Sequence, residues 1–293
     1  MLILISDAFG PDLPSKLAKH GEVTDNSGRV GEAEVILIRS KTKATKEYLD
    51  GAKSCKLIIR GGVGLDNVDQ PYAAQRGIKV FNTADASSNA VAELAFAMMI
   101  GLPNHICRAD QSMREGKWLK KEIKRTELGG KTLGILGLGR IGLALAVRAK
   151  AFNMRVLGWH PDVPFTDFAE IVPTMDATLA QSDYISMHMP LLDATKGIIN
   201  KNTIAKMKDG AFLINTARGK LIVEEDVVMA LESGKLGGYA TDVWNSDPPG
   251  ESPLFKAPNT LFLPHIGAST TENMARIGIM VDKLIGEFVA KNK

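Results

Sequence analysis

The sequence is short of several things, and each shortage removes a class of protein. Among 293 residues there are two cysteines, Cys55 and Cys107. With no paired spacing they make neither a metal site nor a disulfide framework, so two free thiols in a reducing compartment are expected. Five scattered histidines show no ligand spacing either, and no metal is expected. The formal charge of +3 is too small an excess to favour nucleic acid. The densest basic cluster, Arg114–Arg125, interleaves glutamates and one Trp and reads as a solvated connection. Long apolar runs are missing as well. The longest, Leu94–Leu102, is far short of a membrane span. Met1–Ile5 is apolar but lacks a basic n-region and reaches Ser6-Asp7 too soon for a signal peptide, so it reads as a buried strand. A cytoplasmic protein is the expectation. No repeat or low-complexity segment is present.

What remains is an ordinary soluble composition, 45% hydrophobic and 24% charged, on a chain long enough for two domains. Short apolar runs alternate with helical patterns. Strands are expected at residues 1–5, 35–38, 57–59 and 79–81, with helices at Pro14–His20 and from Thr45. Such alternation indicates parallel α/β architecture. Ala90–Leu102 is apolar almost all round and predicts a buried helix, inside the chain or against a partner. Beyond it, strands are expected at 132–136, 154–159, 184–187, 211–215, 238–241 and 260–263, and Met274–Ala290 forms an amphipathic helix returning to the first domain. The division predicted is 1–92, completed by 268–293, for a substrate domain and 93–267 for a dinucleotide-binding domain.

The second domain opens on Thr132–Gly142. An apolar strand runs into Gly137-Leu138-Gly139-Arg140-Ile141-Gly142, which fits G-x-G-x-x-G, and a helical pattern follows. Strand, glycine turn and helix in that order are what a dinucleotide site requires. Gly137 permits the turn, Gly139 admits a pyrophosphate, and Gly142 lets helix and strand lie close. The helix then offers its unpaired N–H groups and positive end to the phosphates. A ribose-binding carboxylate should follow the next strand. That position holds His160, and Asp162 lies beyond a proline. A histidine need not repel a 2′-phosphate, so NAD is expected, through Asp162 or the backbone, with NADP left open.

Polar residues gather at the ends of the later strands: Arg218, Asp242 and His265, with Asp247 in the loop after Asp242. Moving a hydride between a hydroxy acid and a nicotinamide needs a base for the hydroxyl proton. Histidine suits, with an unperturbed pKa of about 6.5. It also needs a carboxylate to orient that base, for which Asp247 is the candidate, and a cation for the substrate carboxylate, for which Arg218 is suited. In the first domain Arg39 and Lys41 could hold an anion, and Gly61-Gly62-Val63-Gly64 offers successive backbone N–H groups to a carboxylate.

Taken together, Arg39-Ser40-Lys41-Thr42, Gly61–Asp69, Gly137–Gly142, Asn215–Gly219, Asp242-Val243 and Pro264–Thr270 resemble the D-isomer-specific 2-hydroxyacid dehydrogenases, and among them the phosphoglycerate-oxidising branch. The resemblance covers nearly the whole chain. It implies two doubly wound parallel-sheet α/β domains, the larger Rossmann-type and the smaller flavodoxin-like. It implies that Arg218 binds the substrate carboxylate and His265 is the acid/base. It implies cofactor contacts from Val63, Arg140, Ile141, His188, Met189, Pro190, Thr216, Ala217, Asp242 and Gly267. A homodimer through the nucleotide domain is implied too.

Two positions depart from the family pattern. Asp247 stands where Glu is usual, one methylene shorter, so a weaker or water-bridged pairing with His265 is expected. His160 stands where Asp is usual. The chain ends at Lys293, so no appended regulatory domain and no serine control are expected. The function expected is NAD(P)-dependent oxidation of 3-phosphoglycerate to 3-phosphohydroxypyruvate, with Arg39, Ser40 and Lys41 on the substrate. Glyoxylate or hydroxypyruvate reduction is the alternative within the class, and a dinucleotide-sensing corepressor the alternative outside it.

Overall fold

The computed structural model describes residues 1–161 and 165–291. The chain forms two compact units, Met1–Ala90 with Ala268–Lys293 (unit 1), and Val91–Gly267 (unit 2).

Unit 1 contains β1 (Leu2–Ile5), α1 (Leu13–Leu17), β2 (Glu22–Thr24), β3 (Val35–Ile38), α2 (Lys46–Gly51), β4 (Leu57–Arg60), α3 (Gln70–Gln75) and β5 (Lys79–Asn82), then the start of α4 (Ala84–Gly101). Its five-stranded sheet has the order β2-β1-β3-β4-β5, every neighbouring pair parallel. This is the flavodoxin-like order, and its direction reverses between β1 and β3. The runs LILI, VILI and LIIR are apolar on both faces because both faces are covered. Ile36, Ile38 and Ile58 pack with Leu49 and Ala73 on one side. Ile3, Val35, Leu37 and Leu57 pack on the other with Leu13, Leu17, Ile277, Val281 and Ile285. The last three belong to α10 (Thr271–Lys291), whose apolar stripe is thereby spent inside unit 1.

Unit 2 begins within α4 and continues through α5 (Ile106–Arg114), β6 (Thr132–Leu136), α6 (Arg140–Ala151), β7 (Arg155–Trp159), β8 (Glu170–Ile171), α7 (Met175–Gln181), β9 (Tyr184–Met187), α8 (Lys201–Ala205), β10 (Ala211–Asn215), α9 (Glu224–Glu232), β11 (Leu236–Thr241) and β12 (Thr260–Phe262). The seven-stranded sheet has the order β12-β11-β10-β9-β6-β7-β8, again parallel throughout. That is a Rossmann order, reversing between β6 and β9.

Several elements are not visible in the apolar pattern. β2 has one apolar residue, Val23, and exists because Glu22–Thr24 pairs with Leu2–Leu4. β8 is a two-residue edge formed against Leu157 and Gly158. α3 lacks an apolar stripe, although Asp69 caps it by accepting from the Tyr72 N–H at 3.0 Å. α5 is polar and starts after His105 in a left-handed conformation. α4 starts at Ala84, ahead of the expected Ala90, because small and polar residues carry its first turns. Glu93, the lone charge in its apolar stretch, pairs with Arg148 at 2.8 Å. No single helix among the described residues is long and apolar enough to cross a membrane; only α4 and α5 together, bent by 65°, pass on length and composition. α4 buries Ala92, Ala95, Met98 and Met99 within unit 2.

The role of α10 is testable. Ile277 is fully buried, whereas Ile279 is 62% exposed. Ile277→Ala should lower unfolding stability by about 2–5 kcal/mol, as cavity-forming truncations do. Ile279→Ala should leave the denaturation midpoint nearly unchanged.

Candidate active site

In unit 2 the site is built where parallel strands end. β6 delivers the chain to Gly137, whose φ of +102° suits glycine. A Cβ there would lie 2.8 Å from the His188 carbonyl carbon, so the loops after β6 and β9 touch backbone to backbone. At Gly142 a Cβ would come within 2.2 Å of the Gly137 oxygen, so α6 can approach its strand only through glycine. Gly139, the N-cap of α6, differs: a Cβ there would meet nothing within 4 Å. No side chain caps this helix, and no acid occupies its first turn. The first-turn N–H groups, with Arg140 and Ile141, therefore surround an open space at the positive end of the helix.

After β9, His188 is half-buried. Its Nε2 lies 2.9 Å from Ser186 Oγ, while Nδ1 is shut from solvent with no partner among the described residues. Burial pushes its pKa down to about 4, so the ring is neutral near pH 7. Met189 beside it is buried and Pro190 is exposed.

After β10, Asn215 is fully buried and shapes the turn. It accepts from the Ala217 N–H at 3.0 Å and donates to the Arg218 carbonyl at 2.9 Å. Arg218 Nη1 donates to the Ala217 carbonyl at 2.6 Å, which orients the guanidinium. Thr216 Oγ1 is buried without a partner among the described residues.

After β11, Asp242 is 2% exposed. Its oxygens accept from the Ile266 N–H at 2.8 Å and the Gly267 N–H at 2.7 Å. Burial pushes this carboxyl's pKa up, and the two N–H donors pull it back. The two bonds fix the loop after β12, where His265 takes a left-handed φ of 58°. Such backbone holds in a non-glycine residue only where its surroundings over-determine it. His265 Nδ1 is hydrogen-bonded directly to Asp247 Oδ2. Of the two outcomes expected of the shorter acid, a weaker or a water-bridged pairing, the water-bridged one is not what forms. Trp244 Nε1 donates to the Leu263 carbonyl at 2.9 Å and pins the loop carrying Asp247 against the end of β12. β10 and β12 flank β11, so the strands leading to Arg218 and His265 are two strand spacings apart, about 10 Å. His265, Asp247 and Arg218, the residues expected as base, orienting carboxylate and cation, thus follow strands that finish on one edge of one sheet.

Residues 96–267 match the family model described as D-isomer specific 2-hydroxyacid dehydrogenase, NAD binding domain. The chain is 43% identical over 274 residues to a hydroxypyruvate reductase of Thermotoga maritima, covering 92% of this chain and 90% of that protein. It is 38% identical over 295 residues to a D-3-phosphoglycerate dehydrogenase of Methanocaldococcus jannaschii, covering 97% of this chain and 56% of that protein. The chain belongs to the D-isomer specific 2-hydroxyacid dehydrogenases. It spans about half the length of the phosphoglycerate dehydrogenases it matches. Among solved structures it is similar to a D-lactate dehydrogenase of Aquifex aeolicus complexed with NAD and lactic acid, with TM-score 0.87, 29% identity and coverage of 99% and 96%.

The residues present fit this dehydrogenase family's cofactor, NAD. The uncapped end of α6 and the open space at Gly139 suit a pyrophosphate. The orphaned Thr216 Oγ1 and His188 Nδ1 are polar atoms at neighbouring strand ends that a ligand would satisfy. His160 follows β7 directly and is half-buried; Asp162, the other candidate for the ribose, lies outside the described residues.

In unit 1, Arg39 and Ser40 follow β3 and are half-buried, and Lys41 is exposed. Lys41 stands on a cleft of about 680 Å³ lined also by Ser6, Asp7, Phe9 and Thr24. The glycine turn after β4 offers fewer donors than expected. The Gly61 N–H is spent on the Ile38 carbonyl at 2.8 Å and the Gly62 N–H on Thr83 Oγ1 at 2.9 Å, which narrows the run to Val63 and Gly64. Asn82 Nδ2 holds the Val63 carbonyl at 2.6 Å. Sequence reasoning passed over Arg60, whose Nη2 lies 3.2 Å from Ser40 Oγ. Its signal was the same as that of Arg39, a cation closing an apolar strand.

Two measurements follow. Gly139→Ala should leave thermal stability unchanged but weaken NADH binding at least about tenfold in a fluorescence titration, because only the ligand's space is filled. Gly142→Ala should instead lower the melting temperature, since its Cβ meets backbone. The depressed pKa of His188 means the unfolded chain binds a proton that the folded chain refuses between about pH 6.5 and 4. Stability should fall on acidification through that window, and His188→Asn should flatten that fall.

Proposed function

We propose that this dehydrogenase interconverts a D-2-hydroxy acid and its 2-keto acid, with 3-phosphoglycerate and 3-phosphohydroxypyruvate as the preferred pair. The observation that carries the chemistry is the direct His265–Asp247 pair on the sheet edge that also holds Arg218. NAD would be held at the glycine turn and the uncapped start of α6, and would supply hydride-transfer chemistry for the substrate's C2. Asp247 accepts the Nδ1–H of His265, which leaves Nε2 to take the substrate hydroxyl proton during oxidation and return it during reduction. The same carboxylate stabilises the imidazolium formed. Arg218 grips the substrate carboxylate in a fixed fork. Residues 93–267 are assigned to the dinucleotide, and 1–92 with 268–293 to the substrate.

The preference for a phosphorylated acid rests on unit 1, where Arg39 and Lys41 stand on the turn after β3 and Arg60 reaches that turn at Ser40, a set of cations that suits a dianion. The identity to a hydroxypyruvate reductase over nine-tenths of that protein supports a second reading, in which the same carbon skeleton is taken without phosphate. A homodimer through unit 2 suits its exposed apolar residues Ile106, Met113 and Trp118, the last 73% exposed.

The test is a turnover panel of 3-phosphohydroxypyruvate, hydroxypyruvate and glyoxylate with NADH and NADPH, the latter because of His160. His265→Ala should lower kcat by about 10²–10⁴ with NADH affinity retained, as removal of a general acid–base does. Unchanged kcat would end the catalytic assignment. Arg39→Ala should raise KM for the phosphorylated substrate alone; an equal rise for glyoxylate would transfer the assignment to the non-phosphorylated acid.

A further inference from the structure

The turn Arg39-Ser40-Lys41-Thr42 leaves β3 at the point where the unit 1 sheet reverses direction, beside the end of β1. Two side chains from elsewhere in unit 1 hold its backbone. Asp7, just beyond β1 and 9% exposed, puts Oδ2 on the Arg39 N–H at 2.5 Å and the Thr42 N–H at 3.1 Å, and Oδ1 on the Thr42 hydroxyl at 2.6 Å. From the other side, Asn67 Nδ2 donates to the Arg39 and Thr42 carbonyls, each at 2.7 Å. One buried carboxylate therefore takes the turn's end donors and one amide takes its end acceptors. Residues 39 and 42 are fixed by both groups, and the side chains of Ser40 and Lys41 are set on a braced frame.

The clamp also limits what can bind. An inward-facing pair of N–H groups at a turn is an anion-binding concavity, and here the protein's own carboxylate fills it. An incoming anion must then be met by side chains. Those on the turn are Arg39, Ser40 and Lys41, with Arg60 reaching Ser40 at 3.2 Å. Arg39 Nη1 donates to the Ala8 carbonyl at 3.3 Å, while its Nε is buried without a partner among the described residues.

We propose that Asp7 and Asn67 are positioning residues that preform the Arg39–Thr42 turn to receive the anionic end of the substrate. This rests on the reading of unit 1 as the substrate domain. Their work is geometric, done through bonds to backbone rather than through the charge of Asp7. An asparagine at position 7 can keep all three bonds, its oxygen accepting from the two N–H groups and its amide donating to Thr42 Oγ1. An alanine keeps none.

The experiment compares Asp7→Ala, Asp7→Asn and Asn67→Ala in steady-state reduction of 3-phosphohydroxypyruvate, hydroxypyruvate and glyoxylate. NADH affinity and amide hydrogen exchange of residues 39–42 are followed alongside. Asp7→Ala and Asn67→Ala should raise KM for the preferred keto acid about tenfold, the scale of a lost buried hydrogen-bond partner. Their kcat should stay within about threefold and NADH affinity should not change, while exchange at Arg39 and Thr42 accelerates in Asp7→Ala. Asp7→Asn should keep KM within about twofold of wild type, since its bonds are kept. An unchanged KM in Asp7→Ala overturns the proposal. So does a KM rise accompanied by an equal loss of NADH affinity, or an asparagine variant as impaired as the alanine one. If Asp7→Ala does not fold, Thr42→Val removes one bond of the clamp alone; its KM should rise and Thr42→Ser should restore it, and an unchanged KM overturns the proposal. A wild type that reduces none of the three acids sinks the substrate reading instead, while the exchange data still decide whether the clamp exists.

Discussion

Parallel pairing is the constraint behind both units. A parallel strand cannot turn back on its neighbour; the chain must cross over and start again at the same end. Every strand of a unit consequently finishes at one edge, and every loop that follows a strand is delivered there. Distant stretches such as Gly137, His188, Arg218, Asp242 and His265 are delivered to one edge for this reason. The crevice opens where strand order reverses, between β6 and β9 in unit 2 and between β1 and β3 in unit 1. At the first crevice the backbone of Gly137 lies against that of His188. At the second, Asp7 lies against the turn from Arg39 to Thr42.

Delivery to an edge does not by itself give precision, because strand-end loops are free of the ladder. Both units answer this with the same device. In each, a buried carboxylate just past one strand accepts two backbone N–H groups from the loop past the adjacent strand. Asp242 after β11 holds Ile266 and Gly267 after β12. Asp7 after β1 holds Arg39 and Thr42 after β3. A carboxylate with charge-assisted bonds to backbone is among the stronger local restraints available, and its burial makes the alternative of leaving it unpaired costly. The loops so held carry His265 in one case and Arg39, Ser40 and Lys41 in the other.

How much of this could be read in advance depends on whether a residue's meaning is local. The glycine loop was legible because strand, turn and helix adjoin in sequence. His265, Arg218 and Asp242 were legible because each polar residue lies at or within a few residues of the end of a strand-forming run. Asp7 and Asn67 were not, since a carboxylate after Ser6 or an amide after Asp66 acquires a role only when the loop from Arg39 to Thr42 is folded beside it. β2 and β8 were invisible for the same reason: a strand with one apolar residue, or with only two residues, exists through its neighbour's ladder. The glycines after β4 erred in the opposite direction. Their sequence promises a row of donors, and the fold has already spent two of them on Ile38 and Thr83.

The pairing of His265 with Asp247 is held in place from both of the loops that carry it. His265 adopts a left-handed conformation, and Asp242 restrains the residues just after it. Trp244 ties the other loop to the end of β12 through the Leu263 carbonyl. The two loops are therefore both tied down by backbone bonds, and the carboxylate reaches the imidazole directly. The strain at His265 and the buried charge at Asp242 are then parts of one arrangement, each intelligible only with the other.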